Sequence, residues 1–397
     1  MIFEKYGTNC YQHRKSTICK DSVIAMEASM KKHKYIPRKA PFLKGLLSVL
    51  MVSTLSTISG CASMQEESQN QSSSMDFALI GDMPYVAKQR KEFVNLMKDV
   101  DAENLAFVTH VGDIWFDGIA WKDTTKGIPP CSDEVFEDRL KLMQASKHPY
   151  ILTPGDNDWT DCHRAKPQSY DPQERLAKLR KMFFNGDQSL GQHKIKLTRQ
   201  SENPEFAKFS ENVRWTYGGV QFVTLHMIGS NNNLGRTPEM DAEFEERNRA
   251  NLAWLDDAFK EAKRNDSIAI MILSQANPAF ETSWSAKLKG RYLLKNLGIK
   301  APKERKETGF DDFLEDLEVN TLAFAKPVVY VHGDTHTFRI DKPLVRTPNG
   351  SRFIENFTRV ETFGFPNTHW IKVTIDPNDP NVFTFRPEIV NANRVKN

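Results

Sequence analysis

The chain has 397 residues, of which 39% are hydrophobic and 26% are charged, so it is long enough to bury one large core or two ordinary ones. This composition, with 20 Gly, 20 Pro and five Cys, excludes disordered, collagen-like and disulfide-scaffold proteins. The 54 Lys and Arg against 51 Asp and Glu give a formal net charge of +3, which taken alone suggests an anionic partner.

The N-terminal region is predicted to direct export. From Met30 the sequence passes through a basic stretch and a mostly apolar run to Ile58-Ser59-Gly60-Cys61, the layout of a secretory signal. This tetrapeptide resembles the lipobox of bacterial lipoproteins, which implies that Cys61 is acylated and becomes the new N-terminus. The following Ala62 resembles the outer-membrane sorting pattern. The alternative is a plain secretory signal with an incidental cysteine.

These features divide the chain into four predicted parts. They are a start-site extension (1–29), a lipoprotein signal peptide (30–60), the lipidated Cys61 with a Gln/Ser-rich flexible tether (61–75) and a folded domain (76–397). Acyl chains on Cys61 would hold the domain on a lipid bilayer, facing the periplasm or the cell exterior.

The net charge changes once the signal is removed. Residues 1–60 contain ten Lys and Arg and three Asp and Glu, so the remainder carries a formal charge of −4. The apparent basicity belongs to the signal, and the charge implies no nucleic-acid partner.

In the folded domain, several short apolar runs end directly in Gly-Asp. These runs cover 77–82, 107–113, 150–156 and 328–334 and are typical of strands buried on both faces. Helical periodicity between them, at 86–100, 134–145 and 241–264, predicts an α/β core. Further strands are predicted at 220–225, 268–273, 370–375 and 382–387. The less periodic segments 160–219 and 281–326 are interpreted as insertions around the mouth of a site, with a local helix at 172–184.

The four acids that end these strands are Asp82, Asp113, Asp156 and Asp334. Loops at the carboxyl ends of strands gather the functional groups of α/β sheets. Converging carboxylates repel one another unless a cation is bound, and otherwise their pKa values rise. A single Gly-Asp is more simply a turn, but four at successive strand ends favour a metal site.

Two cysteines remain once the signal and the lipid-bearing residue are set aside. Cys131 and Cys162 both flank motif loops, and an exported, oxidising compartment favours a disulfide between them. The alternative is a pair of buried free thiols.

The order and spacing of five blocks resemble the calcineurin-like metallophosphoesterase family, which includes the purple acid phosphatases. The blocks are Asp82-Met83-Pro84, Gly112-Asp113-Ile114-Trp115-Phe116, Gly155-Asp156-Asn157-Asp158, Ser274-Gln275-Ala276 and Gly333-Asp334-Thr335-His336. The resemblance implies a four-layer α/β/β/α sandwich with two divalent metal ions. It also implies that Asp82, Asp113 and His336 bind the first ion, and that Asp113 bridges to a second ion completed by Asp156, Gln275 and Asp334.

The chain also departs from the family pattern. Pro84 stands where a first-site His is expected, Phe116 where some members have Tyr, and Gln275 and Asp334 where members have His. Asp156 replaces the family Asn. Oxygen ligands in place of imidazoles favour Mn, Mg or Ca over Zn or Fe.

Asn157 replaces the motif His that assists the leaving group, so proton transfer needs a substitute. The candidates are His163, His226, His332 and His369. Each of them alone is more simply a structural residue, and His226, at the end of the 220–225 strand, is the preferred candidate for proton transfer.

Two functions are compatible with this pattern. The first is a metal-dependent phosphoesterase that acts on a phosphorylated small molecule or a diester through a metal-activated water. The second is a decayed relative that serves as a binding or structural lipoprotein. The four retained carboxylates favour the first.

Overall fold

The computed structural model describes residues 75–116, 128–280, 308–346 and 352–395, and these belong to one compact unit. The predicted features at 1–74, including Cys61, lie outside the described residues. Among the described residues, no helix is both long and apolar enough to cross a membrane.

Twelve strands in the described part of the chain form two sheets. In chain order the strands are β1 (Met75–Ile80), β2 (Val108–His110), β3 (Tyr150–Leu152), β4 (Thr198–Arg199), β5 (Val213–Tyr217), β6 (Val220–Thr224), β7 (Ala269–Leu273), β8 (Val328–His332), β9 (Arg339–Asp341), β10 (Phe357–Glu361), β11 (Trp370–Ile375) and β12 (Phe383–Glu388). The first sheet has the order β12-β11-β1-β2-β3 and the second has the order β4-β5-β6-β7-β8-β10-β9.

The centre of each sheet is parallel and its edges are antiparallel. Strands β1, β2 and β3 run parallel, as do β6, β7, β8 and β10, whereas β11, β12, β4, β5 and β9 pair antiparallel with their neighbours. The parallel strands of each sheet end at the same edge of that sheet. The loops that carry Asp82, Asp113, Asp156 and Asp334 begin there.

Five longer helices lie among the described residues. They are α1 (Ala87–Val100), α2 (Asp133–Gln144), α3 (Pro172–Phe183), α4 (Pro238–Arg264) and α5 (Asp311–Phe324). Local sequence explains where several begin: Ser132, Asp171 and Thr237 each accept a backbone N–H as N-cap, and proline opens α3 and α4.

Three apolar clusters separate four layers. One lies between the first sheet and helices α1, α2 and α3, and it includes Phe93 and Phe136. The second lies between the two sheets, where Phe77 meets Phe222 at a centroid distance of 5.3 Å. The third packs α4 and α5 on the second sheet. The predicted four-layer α/β/β/α sandwich is confirmed.

The two predicted insertions need correction. Residues 213–217, within the first, form β5 and pair with β6 in the second sheet. In the second, helix α5 belongs to the outer layer because Phe313, Leu317 and Phe324 bury one face of it. The spacing of these apolar residues is helical, and that signal was available in the sequence.

Candidate metal centre

The four strand-end aspartates are brought together. Asp82 follows β1, Asp113 follows β2, Asp156 follows β3 and Asp334 follows β8. The backbone N–H of Asp334 donates to Asp82 Oδ1 at 2.9 Å, and the backbone N–H of Asn157 donates to Asp113 Oδ1 at 3.2 Å. Acids from both sheets therefore lie close together, as the metal-site hypothesis requires.

The glycine in two Gly-Asp pairs makes room for an acid of another loop. A Cβ on Gly155 would lie 1.9 Å from Asp113 Oδ1, and a Cβ on Gly333 would lie 1.8 Å from Asp82 Oδ2. No side chain fits at either distance. Gly-Asp thus serves close approach between loops rather than the turn alone.

The backbone at these loops is strained. Asp82, Asp113, Asp334 and His336 have φ values of 53°, 57°, 76° and 57°, in the left-handed region. A non-glycine residue there is uncommon and carries a strain on the order of 1–3 kcal/mol. Such strain concentrates at functional sites, where the surroundings hold it in place.

Burial and mutual repulsion raise the pKa of every acid in the cluster. For Asp82 and Asp113, burial is the largest cause and the neighbouring carboxylates add to it, so both pKa values lie well above the usual range. Burial raises the pKa of Asp156 to about 7 and that of Asp334 to about 6, each with help from nearby acids. A cation or protons must balance this charge.

Three side-chain donors converge on one oxygen of Asp113. Its Oδ2 accepts from Asn157 Nδ2 at 2.8 Å, from the Tyr85 hydroxyl at 3.0 Å and from Gln275 Nε2 at 3.3 Å. The catalytic assignment of Asn157 and the ligand assignment of Gln275 stay predictions. In this structure both present amide N–H groups, not oxygens, to Asp113.

Tyr85 is a member of the site that sequence reasoning missed. It is 1% exposed, its ring stacks with Phe116 and Phe365, and its hydroxyl lies 3.1 Å from His336 Nε2. The only available signal was its position one residue after the first motif. The phenol connects Asp113 with His336, which come from different sheets.

His336 is oriented from two sides. Its Nε2 lies 3.6 Å from Asp82 Oδ1, and the ring also forms a hydrogen bond with the backbone of Phe365. In metal-binding imidazoles, the nitrogen that does not bind the metal commonly donates its N–H to a backbone carbonyl in this way. The position agrees with the predicted ligand role, which stays a prediction.

A left-handed turn lies next to Asp156. Ser230, Asn231, Asn232 and Asn233 all have φ values between 52° and 72°. Their side chains stabilise the turn, because Asn232 Nδ2 donates to Gly309 O at 2.9 Å and Asn233 Nδ2 donates to Glu243 Oε2 at 2.9 Å. The turn places the Ser230 hydroxyl 2.7 Å from Asp156 Oδ2.

His226 does not reach the cluster with a free nitrogen. The ring is fully buried, Nδ1 lies 2.7 Å from Glu211 Oε1, and Nε2 accepts from Trp159 Nε1 at 3.0 Å. Burial lowers the pKa of the imidazole to about 4. Since both nitrogens are engaged, this geometry argues against the predicted proton transfer and favours a structural role.

Asp158 and Arg139 hold the backbone of the loops that carry Asp113 and Asp156. Asp158 accepts from the backbone N–H groups of Asp113, Ile114 and Gly155 at 3.1, 2.8 and 2.7 Å. Arg139, 1% exposed, donates to the carbonyl of Ile114 at 2.6 Å. Asp158 therefore joins the Asp113 loop to the Asp156 loop through backbone hydrogen bonds.

The predicted disulfide is present. Cys131 and Cys162 have their sulfurs 1.96 Å apart and are fully buried. Cys162 lies in a short 3-10 helix (Thr160–Arg164) just after the Asp156 loop. The bridge ties that loop to the start of α2.

Glu361, at the end of β10, is a second residue that sequence reasoning missed. It is fully buried, it pairs with Arg339 at 2.7 Å, and its charge raises the pKa of Asp82 and of Asp334. It lacks the Gly-Asp signal, because its strand ends in Val-Glu-Thr.

The described residues fit a metal ion best at Asp82. Within the described ranges, no three Asp, Glu, His or Cys side chains form a ready-made ligand group. Nevertheless, Asp82 Oδ2 is buried without a hydrogen-bond partner, and His336 Nε2, which also contacts the Tyr85 hydroxyl, lies 3.6 Å from the other oxygen of this carboxylate. A carboxylate oxygen of this kind suits a divalent cation.

Comparisons with known proteins give distant likenesses. A scan against protein-family models finds no match, and a search of curated proteins finds no similar sequence. Among solved structures, a 5'-nucleotidase from Candida albicans SC5314 matches with a TM-score of 0.39 and 11% identity, over 80% of this chain and 51% of its own. A cold-active protein-tyrosine phosphatase of a psychrophilic Shewanella species matches with a TM-score of 0.27 and 8% identity, over 79% and 80%. The chain thus spans about half the length of the nucleotidase.

Proposed function

We propose that the protein is a metal-dependent phosphoesterase that acts at the carboxylate cluster. The observation that carries this proposal is the convergence of Asp82, Asp113, Asp156 and Asp334 at one place, together with a buried Asp82 oxygen that has no partner. Four repelling acids, three of them at left-handed backbone positions, destabilise the fold unless a cation balances their charge.

The chain's own residues supply the framework for this activity. Asp82, Asp113 and His336 would hold an ion on one side, and the family resemblance adds Asp156, Gln275 and Asp334 for a second. A bound divalent ion, with Mn, Mg or Ca favoured, would lower the pKa of a water and neutralise phosphate charge. The Tyr85 hydroxyl and the Asn157 amide orient the Asp113 carboxylate.

The substrate class is proposed as a phosphorylated small molecule or a phosphodiester. The test uses chelator-treated protein assayed with p-nitrophenyl phosphate and bis(p-nitrophenyl) phosphate, with and without added Mn²⁺, Mg²⁺ or Ca²⁺. Metal-dependent hydrolysis that disappears in Asp113→Ala supports the proposal. The matched control is Asp257→Ala, because Asp257 is a helix residue with its side chain 53% exposed. Equal hydrolysis in Asp113→Ala and in the native protein would contradict it.

A second candidate is a decayed relative that binds or supports rather than catalyses. It is favoured by the neutral donors on Asp113, since Gln275 and Asn157 amides and the Tyr85 phenol occupy space next to the proposed ligands. This candidate predicts a folded protein that shows neither metal binding nor hydrolysis of either ester.

Export and anchoring are proposed from the N-terminal sequence alone. We propose that Cys61 is lipidated and that the protein resides on the outer membrane as a lipoprotein. Radiolabelled palmitate should label the native chain and fail to label Cys61→Ser, which should also leave the membrane fraction. Membrane retention of the unlabelled Cys61→Ser protein would refute lipid anchoring.

A further inference from the structure

Two arginines share one buried carboxylate next to the aspartate cluster. Asp161 is 1% exposed, its Oδ1 lies 2.8 Å from Arg236 Nη2, and its Oδ2 lies 2.5 Å from Arg164 Nη2. A carboxylate carries a single negative charge, so one guanidinium is enough to balance it. The charge of Asp161 therefore does not explain why both arginines are present.

The Arg236 guanidinium is positioned by a directed chain of hydrogen bonds. Glu243 Oε2 accepts from Asn233 Nδ2 at 2.9 Å, so the amide oxygen of Asn233 faces the other way and accepts from the Thr160 hydroxyl at 2.7 Å. The Thr160 oxygen is then an acceptor, and Arg236 Nη1 donates to it at 3.2 Å. Thr160 and Asn233 are fully buried. A guanidinium that is held in this way loses little conformational entropy when it binds a ligand.

Arg236 also has donors that the described part of the chain does not use. A guanidinium carries five N–H groups. Within the described ranges, Arg236 donates only to Thr160 and to Asp161, and its side chain is 22% exposed. The remaining N–H groups suit an oxyanion from solution, either a carboxylate or a phosphate, which a guanidinium binds through two parallel hydrogen bonds.

Asp161 and Ser230 separate this guanidinium from the aspartate cluster. The Ser230 hydroxyl lies 3.4 Å from Asp161 Oδ1 and 2.7 Å from Asp156 Oδ2. Arg236 itself forms no hydrogen bond or ion pair with the four strand-end aspartates that the structure describes. Arg236 is thus close to the cluster but offset from it. A molecule with its phosphate at the cluster would present a different group to Arg236.

We propose that Arg236 binds a second acidic group of the substrate, a carboxylate or a phosphate, while the ester phosphate lies at the aspartate cluster. This inference rests on the proposed phosphoesterase activity. It narrows the substrate class to small phosphate esters that carry a further oxyanion.

Three aromatic esters with the same skeleton test this. Full-length protein with added Mn²⁺ is assayed with phenyl phosphate, p-carboxyphenyl phosphate and p-phenylene bisphosphate, and the released phosphate is measured. The native chain should show a KM about 10- to 100-fold lower for an ester with a second acidic group, because hydrogen bonds between charged partners are of that strength. The ester that gains more shows whether the second group is a carboxylate or a phosphate. Arg236→Gln should lose the preference and keep the native KM for phenyl phosphate.

Two further variants control for general effects of the substitution. Arg249→Gln is the matched control, because Arg249 also pairs with a single acid, Glu205 at 2.6 Å, and its side chain is 57% exposed. It should keep the native preference. Arg236→Lys keeps the charge and loses the planar fork, so it should keep only part of the preference.

Binding without hydrolysis separates this inference from the proposed function. The affinities of p-carboxybenzylphosphonate and benzylphosphonate, which are not hydrolysed, are measured by isothermal titration calorimetry. The native chain should bind the first about 10- to 100-fold more tightly, and Arg236→Gln should bind both alike. This binding pattern without hydrolysis of any ester would overturn the phosphoesterase proposal and leave the second-group site.

The other outcomes decide against the inference. Hydrolysis with no preference for a second acidic group, or with a preference that Arg236→Gln retains, would overturn it and leave the phosphoesterase proposal intact. Neither hydrolysis nor binding would overturn both. If Arg236→Gln does not fold, Arg236→Lys and the native preference decide, and a native chain without the preference would overturn the role of Arg236.

Discussion

Replacing Asp156 by asparagine should stabilise the metal-free protein at neutral pH. Burial, with the charges of Asp161 and Asp334, raises the pKa of Asp156 from 3.8 to about 7. The folded chain thus keeps a proton up to about pH 7 that the unfolded chain releases near pH 4, so folded protein binds more protons in this window. Stability is then lost as pH rises from about 4 to 7.

The size of the effect follows from the same values. A difference of about three pH units, at about 1.4 kcal/mol each, amounts to about 4 kcal/mol of unfolding free energy at pH 7.5. Asparagine has nearly the shape of protonated aspartate. Its amide oxygen can accept the backbone N–H of Asn157, and its NH₂ group can donate to the hydroxyl oxygen of Ser230. Asp156→Asn should therefore gain up to about 4 kcal/mol at pH 7.5 and little at pH 4.5, where Asp156 is already protonated in the folded state.

Urea unfolding in EDTA at pH 4.5 and 7.5 measures this. The native protein should lose stability between these pH values, and the loss should be smaller in Asp156→Asn. Asp257→Asn, at an exposed helix position, controls for a change in net charge and should follow the native protein. An equal or lower stability of Asp156→Asn at pH 7.5 would refute the assigned electrostatic cost.

Three further predictions address the phenol, the close glycine and the disulfide. Tyr85→Phe keeps the stacked ring and removes only the hydroxyl, so it should remain folded and lose about 10- to 100-fold in Mn²⁺ affinity by calorimetry; an unchanged affinity would remove Tyr85 from the centre. Gly333→Ala places a Cβ 1.8 Å from a buried carboxylate oxygen and should cost on the order of 3 kcal/mol of unfolding free energy. Gly186→Ala, with φ +72° and open space around its Cβ, controls for backbone strain and should cost about 1–2 kcal/mol. Replacing Cys131 and Cys162 by serine opens a link across a sequence separation of 31 and should cost about 3–4 kcal/mol in urea unfolding, and no loss would show that the bridge does not constrain the unfolded chain.

Much of the sheet architecture could be predicted because its signals are local. The strands before Asp82, Asp113, Asp156 and Asp334 are continuous apolar runs with a sharp polar end, and the helices between them carry their own periodicity. Strand β10 and helix α5 were missed, although α5 buries Phe313 and Leu317 at helical spacing.

The orientation of side chains in the site could not be read in the same way. The direction of the Gln275 amide is set by the backbone N–H of Gly229, which is 46 positions away in sequence. His226 ends a strand just as the acids do, but Glu211 and Trp159 engage both of its nitrogens. Such contacts depend on tertiary structure, which residue spacing does not encode.

The interlocked glycines have a consequence for how this site can vary. Gly155 accommodates Asp113 and Gly333 accommodates Asp82, so each glycine serves an acid from a different loop. Substitutions in these loops are then expected to be strongly non-additive. A library that randomises one loop would return few active members, whereas grafting both partners of a glycine–acid pair together would preserve the fit. Each glycine and the acid that it accommodates must therefore be changed together.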